Sequence, residues 1–199
     1  MSKHVVYHHI PKTGGTSIVE LFEKRFEQME NPLSLLKFFD KDTDTYYIVN
    51  HLLSISEACG NAGIPKEVKH IVSVRDPIYR FLSCLNHRSV QAFDLKKEAY
   101  RFDSSQQDWF EKNRKHLETL DVTFIKCENL NREFKEAFNI HKQLGFSKRS
   151  IDRFKSRNFN MDDFNEWSKL DEQTKQKLRT LFQDEYYVLK CFGIEYNIP

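Results

Sequence analysis

Apolar and polar positions alternate along this chain in short blocks, each about the length of one strand or one helix. Residues 5–10, Val-Val-Tyr-His-His-Ile, are a brief apolar, β-branched run that predicts a buried strand. Beyond a glycine-containing gap, Ile18, Leu21, Phe22, Phe26 and Met29 recur at helical spacing and predict a helix. The apolar patch 33–39 predicts a short helix, and the polar run 40–44 a surface loop. Further strands are predicted at 46–49, 70–74 and 122–126. Residues 56–59 predict a short helix, closed by a turn over 60–65. Pro77 opens another helix, because its missing N–H costs nothing at a first helical position. Ile78, Phe81, Leu82 and Leu85 mark the buried face of that helix. Helices also follow at 105–116, 130–144 and 171–189, the last with Leu178, Leu181, Phe182 and Tyr186 on one face. Residues 145–165 are basic and irregular. No repeat, low-complexity stretch or linker interrupts the pattern, so residues 1–199 are expected to form a single domain.

Strands alternating with helices imply an α/β protein: a P-loop-like, three-layer fold with a central parallel sheet of four or five strands flanked by helices. In such sheets ligands bind outside the carboxyl ends of the strands. The four predicted strands run out at Lys12, His51, Arg75 and Glu128. Two cations, one base and one acid are thereby delivered to one edge.

The gap after the first strand is Pro11-Lys12-Thr13-Gly14-Gly15-Thr16-Ser17. Strand, tight glycine loop and helix make a phosphate cradle, in which backbone amides at the helix start face an anion and the glycines let it approach. Lys12 adds a point charge, and Thr13, Thr16 and Ser17 can donate hydrogen bonds. The order differs from the nucleoside triphosphate loop G-x-x-x-x-G-K-[ST], since Lys12 precedes Gly14 and Gly15 instead of following them. A second informative stretch, Ser73-Val-Arg75-Asp76-Pro77, puts an arginine at a strand end, with Ser83 about two helical turns later. Arg75 offers a forked cationic donor for a phosphate and Ser83 a neutral one.

Composition narrows the classes. The 199 residues are 39% hydrophobic and include 17 phenylalanines, so the default role of any one Phe is packing. That default also covers Trp109 and Phe110, which with Tyr100 and Phe102 could otherwise stack on a sugar. A net charge of +2 gives no case for a nucleic-acid or membrane binder. Cys59, Cys84, Cys127 and Cys191 are widely spaced, with no zinc-like grouping, and fit a reducing compartment. No signal peptide or long apolar span is seen, so a cytoplasmic location is expected. His8 and His9 fall on opposite faces of the first strand, where packing is their simplest role.

The Pro-Lys-Thr-Gly-Gly-Thr-Ser order resembles the 5′-phosphosulfate loop of sulfotransferases that use PAPS (3′-phosphoadenosine 5′-phosphosulfate). The Arg75–Ser83 stretch is similar to their 3′-phosphate element. Val49-Asn50-His51-Leu52 and Cys127-Glu128-Asn129-Leu130 resemble segments of the carbohydrate, heparan sulfate 2-O-sulfotransferase-like, branch, as do Gln183–Tyr187 and Phe192-Gly193. Asn50 stands where that branch often has Gly. The resemblance implies sulfuryl transfer from PAPS, with PAP released and no metal, to a carbohydrate or other small hydroxyl-bearing acceptor. It implies that Pro11, Lys12, Thr13, Gly14, Gly15, Thr16, Ser17, Arg75 and Ser83 hold the donor. It further implies that Lys12 neutralises the leaving phosphate and that His51 is the base, with Glu128 in reserve. The basic run Lys148, Arg149, Arg153, Lys155 and Arg157 could close over the adenosine 3′-phosphate, bind an acidic glycan or simply be solvated. Two other readings stay open: a P-loop kinase-like phosphotransferase, which predicts Mg²⁺ and ATP dependence, and a PAPS- or PAP-binding protein without turnover.

Overall fold

A computed structural model describes residues 3–30, 35–51, 53–88, 106–140, 144 and 167–199. The basic run at 148–157, Tyr100, Phe102 and the expected irregular segment 145–165 lie outside the described residues. Among those described, six strands form one sheet: β1 (Lys3–His9), β2 (Glu27–Met29), β3 (Leu36–Asp40), β4 (Thr45–Asn50), β5 (Lys69–Val74) and β6 (Val122–Lys126). Their spatial order is β2-β3-β4-β1-β5-β6. The β4-β1-β5-β6 half is parallel. The β2 and β3 strands add an antiparallel edge.

Six α-helices are described: α1 (Gly15–Arg25), α2 (Ile55–Ala62), α3 (Pro77–Arg88), α4 (Gln106–Leu117), α5 (Leu130–Phe138) and α6 (Glu172–Cys191). Period-two alternation sorts β1 between two layers. Val6 points with Ile48, Val72 and Val74 into one core, closed by α2, α4 and the end of α6. Tyr7 points with Val49, Ile71 and Ile125 into the other, closed by Ile18 and Phe22 of α1 and Phe134 and Phe138 of α5. A third cluster joins Ile78, Phe81 and Leu85 of α3 to Leu178, Phe182 and Tyr186 of α6. Trp109 and Phe110 are buried core residues, as the composition argued.

The expected α/β three-layer architecture holds, with corrections at the sheet edge. The parallel part has four strands, as expected, and the antiparallel pair β2 and β3 widens the sheet to six. The apolar patch expected to be helical instead supplies β3, which pairs Leu36 with Val49 and Phe38 with Tyr47. Met29, expected on the first helix, lies in β2, because α1 ends at Arg25 and Phe26 is extended. Helix α5 stops at Phe138, where Asn139 turns left-handed at φ 55°, rather than running to 144. Helix α2 continues through Gly60 to Ala62 before its turn.

The chain leaves β1 for β4 on one side and then crosses to β5 on the other. That reversal opens a crevice at the carboxyl end of β1, the usual ligand position in open α/β sheets.

Candidate active site

The crevice is floored by residues 10–17. Lys12 and Gly14 both have positive φ, 68° and 86°, while Thr13 between them does not. Alternating the sign of φ turns successive amides to one side and forms an anion-binding nest. Gly14 is also the N-cap of α1, and no side chain caps that end. An uncapped helix start with its dipole facing the crevice favours an anion. The glycines are required by their surroundings as well. A Cβ on Gly14 would come within 2.7 Å of the Leu130 side chain. A Cβ on Gly15 would sit 2.1 Å from the His9 ring.

Thr13 corrects one expectation. Its side chain is fully buried, and its hydroxyl donates to the Ile10 carbonyl at 2.6 Å. With that proton committed, the 2.5 Å contact to Ser73 must be donated by Ser73, which itself accepts from the Tyr7 hydroxyl at 2.9 Å. The Tyr7–Ser73–Thr13–Ile10 chain pins the loop to β5 from beneath. Thr13 can therefore reach an anion only through its amide. Thr16 and Ser17 lie half-buried in the first turn of α1, and Pro11 half-buried at the loop's entry.

Lys12, Arg75 and His51 converge as the strand ends required. The Arg75 guanidinium donates to the Lys12 carbonyl at 3.3 Å, which couples the two cationic segments. The β1–β4 register pairs His8 with Asn50 and so sets His51 beside His9, their ring centres 4.5 Å apart. Ser83 lies half-buried within α3, one helical turn beyond the exposed Tyr79.

Sequence reasoning missed the frame behind Arg75. Its amide donates to Oε1 of the buried Gln106 at 2.8 Å, and Gln106 Nε2 returns a bond to the Arg75 carbonyl at 2.7 Å. Gln106 also reaches Glu185, whose carboxylate lies 3.7 Å from Nε of the buried Arg80. The Asp76 amide donates to Glu128 Oε1 at 3.1 Å, and the Tyr196 hydroxyl to Glu128 Oε2 at 3.2 Å. Asp76 in turn accepts from Tyr186 at 2.8 Å. Both oxygens of Glu128 thus tie the end of β6 to the Arg75-Asp76 turn and to the segment after α6.

A model of the Sulfotransferase family matches residues 1–124. The chain belongs to that family. The match spans the loop, His51, Arg75 and Ser83, and ends within β6, before Glu128. Comparison with curated proteins finds no match. Sulfotransferases move a sulfuryl group, generally from PAPS, and release PAP. In this sulfotransferase the imidazoles beside the loop are neutral. Partial desolvation at the crevice rim, where the residue keeps an exposed side, lowers the pKa of His51 below 6.5, so its ring is uncharged at neutral pH. Burial, with the nearby His51 and Lys12, takes His9 down to about 3. Burial pushes the Cys127 thiol up, and Arg75 and Lys12 only partly offset this. Among the described residues no cluster of metal-ligating side chains occurs, and no helix is long and apolar enough to cross a membrane.

Proposed function

We propose that this sulfotransferase carries a sulfuryl group from PAPS to a hydroxyl of a small acceptor, with a carbohydrate as the first class to test. The observation that carries the reading is the convergence of Lys12, Arg75 and His51 on a loop whose amides form a nest. The nest and the start of α1 hold the 5′-phosphate of the donor, with Lys12 against the oxygens that gain charge as the S–O bond breaks. One donor of the Arg75 fork steadies Lys12, and the fork's remaining geometry suits the 3′-phosphate, with Ser83 further along α3. His51, neutral at pH 7, takes the proton of the attacking hydroxyl. Sulfur forms its bond to the acceptor oxygen on one side as the bond to the phosphate oxygen opens on the other, and PAP leaves. The exposure of His51 at the crevice rim leaves room for an acceptor.

Calorimetric titration with PAP in the absence of metal tests the donor site, with ATP and Mg²⁺ alongside. PAP should bind, and Arg75→Ala should weaken it by about 2 kcal/mol, roughly thirtyfold, the scale of a lost charged hydrogen bond. If PAP is silent while ATP with Mg²⁺ binds, the loop is a nucleoside triphosphate site and the reading fails. PAP binding without transfer from labelled PAPS to a panel of sugars would exclude the carbohydrate class, and silence with other hydroxyl acceptors as well would identify a binding protein without turnover.

A further inference from the structure

His9 has a feature that packing alone does not explain. Its side chain is buried to within 8% of full enclosure, and among the described residues its Nδ1 is a buried atom with no hydrogen-bond partner. Leaving such an atom unpaired costs about 1–3 kcal/mol, and buried polar atoms are almost always paired. Against the His9 ring lies that of His51, with centres 4.5 Å apart and planes at 60°. A second imidazole pair in the same protein gives the distance needed for a bond. His8 Nε2 and His70 Nδ1 are bonded at 3.0 Å with ring centres 5.3 Å apart. The His9 and His51 rings lie closer, in a tilted contact, so the His51 ring must turn and draw back slightly for its N–H to reach Nδ1. Catalytic hydrogen bonds are often misaligned before substrate binds and tighten in the loaded complex.

We propose that His9 is a positioning residue for His51: its Nδ1 lone pair accepts the N–H of His51, fixing which nitrogen of His51 faces the acceptor hydroxyl. The proposal rests on the reading of His51 as the base. In the transfer step the hydroxyl proton passes to the free nitrogen of His51. The acceptor oxygen bonds to sulfur, the sulfur–phosphate oxygen bond breaks, and PAP carries away the electron pair. His51 is then an imidazolium, and the bond to neutral His9 stabilises its charge. A base oriented by a third group is a recurring arrangement in proton-transfer sites. His9 is held for this task from all sides. Gly15 of α1 abuts the ring, so it cannot swing away. Tyr7 lies parallel to it two residues earlier on β1, with its hydroxyl committed to Ser73. The charged or titratable groups facing it are His51 and Lys12, and both disfavour a proton on His9. His9 therefore stays neutral throughout the working pH range, with one ring nitrogen available as an acceptor.

The experiment compares His9→Phe, His9→Asn and His51→Ala for kcat, for the pH profile of kcat and for PAP affinity. Asn places an amide oxygen near the position of Nδ1, whereas Phe keeps a ring and removes the acceptor. His9→Phe should lower kcat about tenfold, the worth of one hydrogen bond to a charged group. It should also move the acid limb to lower pH, because the His51 imidazolium has lost support. PAP affinity should be unchanged in both His9 variants, and His9→Asn should recover much of kcat and restore the limb. Equal losses in Phe and Asn, an unmoved acid limb, or loss of PAP binding with kcat would overturn the proposal and leave His9 as packing beneath the loop. Separately, a His51→Ala enzyme that keeps its kcat would remove the base assignment itself.

Discussion

At the scale of single residues, the loop over residues 10–17 depends on what its glycines leave out. Gly15 carries no Cβ because the His9 ring occupies that volume, and His9 is itself clamped by the sheet. Substituting Gly15→Ala should destabilise the protein by about 2–3 kcal/mol, as overpacking of a tight contact does. It should also abolish PAP binding, since the only relief is to displace either His9 or the start of α1. A urea melt and a PAP titration on that one variant check both effects. A wild-type melt would show that the contact yields more easily than the geometry implies. Lys12 is the complementary case, an L-residue held at φ 68°, in a region that costs such residues about 1–2 kcal/mol. The Arg75 bond to its carbonyl opposes that tendency to relax.

At the scale of elements, the site is a set of strand ends braced from behind. Glu128 illustrates the difference between a base and a brace. Both of its oxygens already accept, from the Asp76 amide and the Tyr196 hydroxyl. Glu128→Gln keeps an oxygen for the amide and offers nitrogen protons to the tyrosine oxygen, so kcat should stay within about threefold of wild type. A general base would lose at least about a hundredfold. Tyr196→Phe should cost about 1 kcal/mol of stability, the value of one ordinary hydrogen bond. The parallel strands were legible in the sequence because buried strands between helices read as continuous apolar runs. Their ends therefore bring Lys12, His51 and Arg75 to one edge of the sheet. The β3 strand was not legible, since a short apolar run fits either element, and pairing with β4 decided it. The braces were illegible for another reason. Gln106, Glu185, Tyr186 and Tyr196 come from remote segments, and nothing local marks a glutamine that will bond an arginine backbone across the fold. Thr13 looked like a ligand for the same reason: its partner, Ser73, is known only once β5 lies beside β1.

At the scale of the whole molecule, three buried imidazoles tie stability to pH. His8 is almost fully buried, accepting from Asn50 at 2.9 Å and donating to His70, whose Nε2 donates to the Lys66 carbonyl at 2.8 Å. Burial holds His8, His9 and His70 below their ordinary pKa of 6.5. The unfolded chain therefore binds more protons than the folded one below pH 6.5. Stability is complete above that pH and declines as pH falls through it, by about 1.4 kcal/mol per pH unit for each fully neutral histidine. Asp76 and Glu185 act in the opposite sense, since burial raises their pKa values and the folded chain protonates first. A comparison with His8→Gln cancels these acids. The amide can still donate to His70, and stability between pH 7 and 5 should fall less steeply than in wild type by that amount per unit. Parallel curves would show that His8 does not titrate on unfolding. The back wall of the donor loop carries a further consequence, for the order of assembly. The loop is synthesised well before its supports: Gly14 is backed by Leu130 and Cys127, and the turn bearing Arg75 is braced through Glu128 by Tyr196. A growing chain carries its phosphate loop long before it can hold a nucleotide with it. Affinity for PAP should therefore appear only once β6 and the segment beyond α6 have docked, and nucleotide capture by stalled chains of increasing length would show at which length that happens.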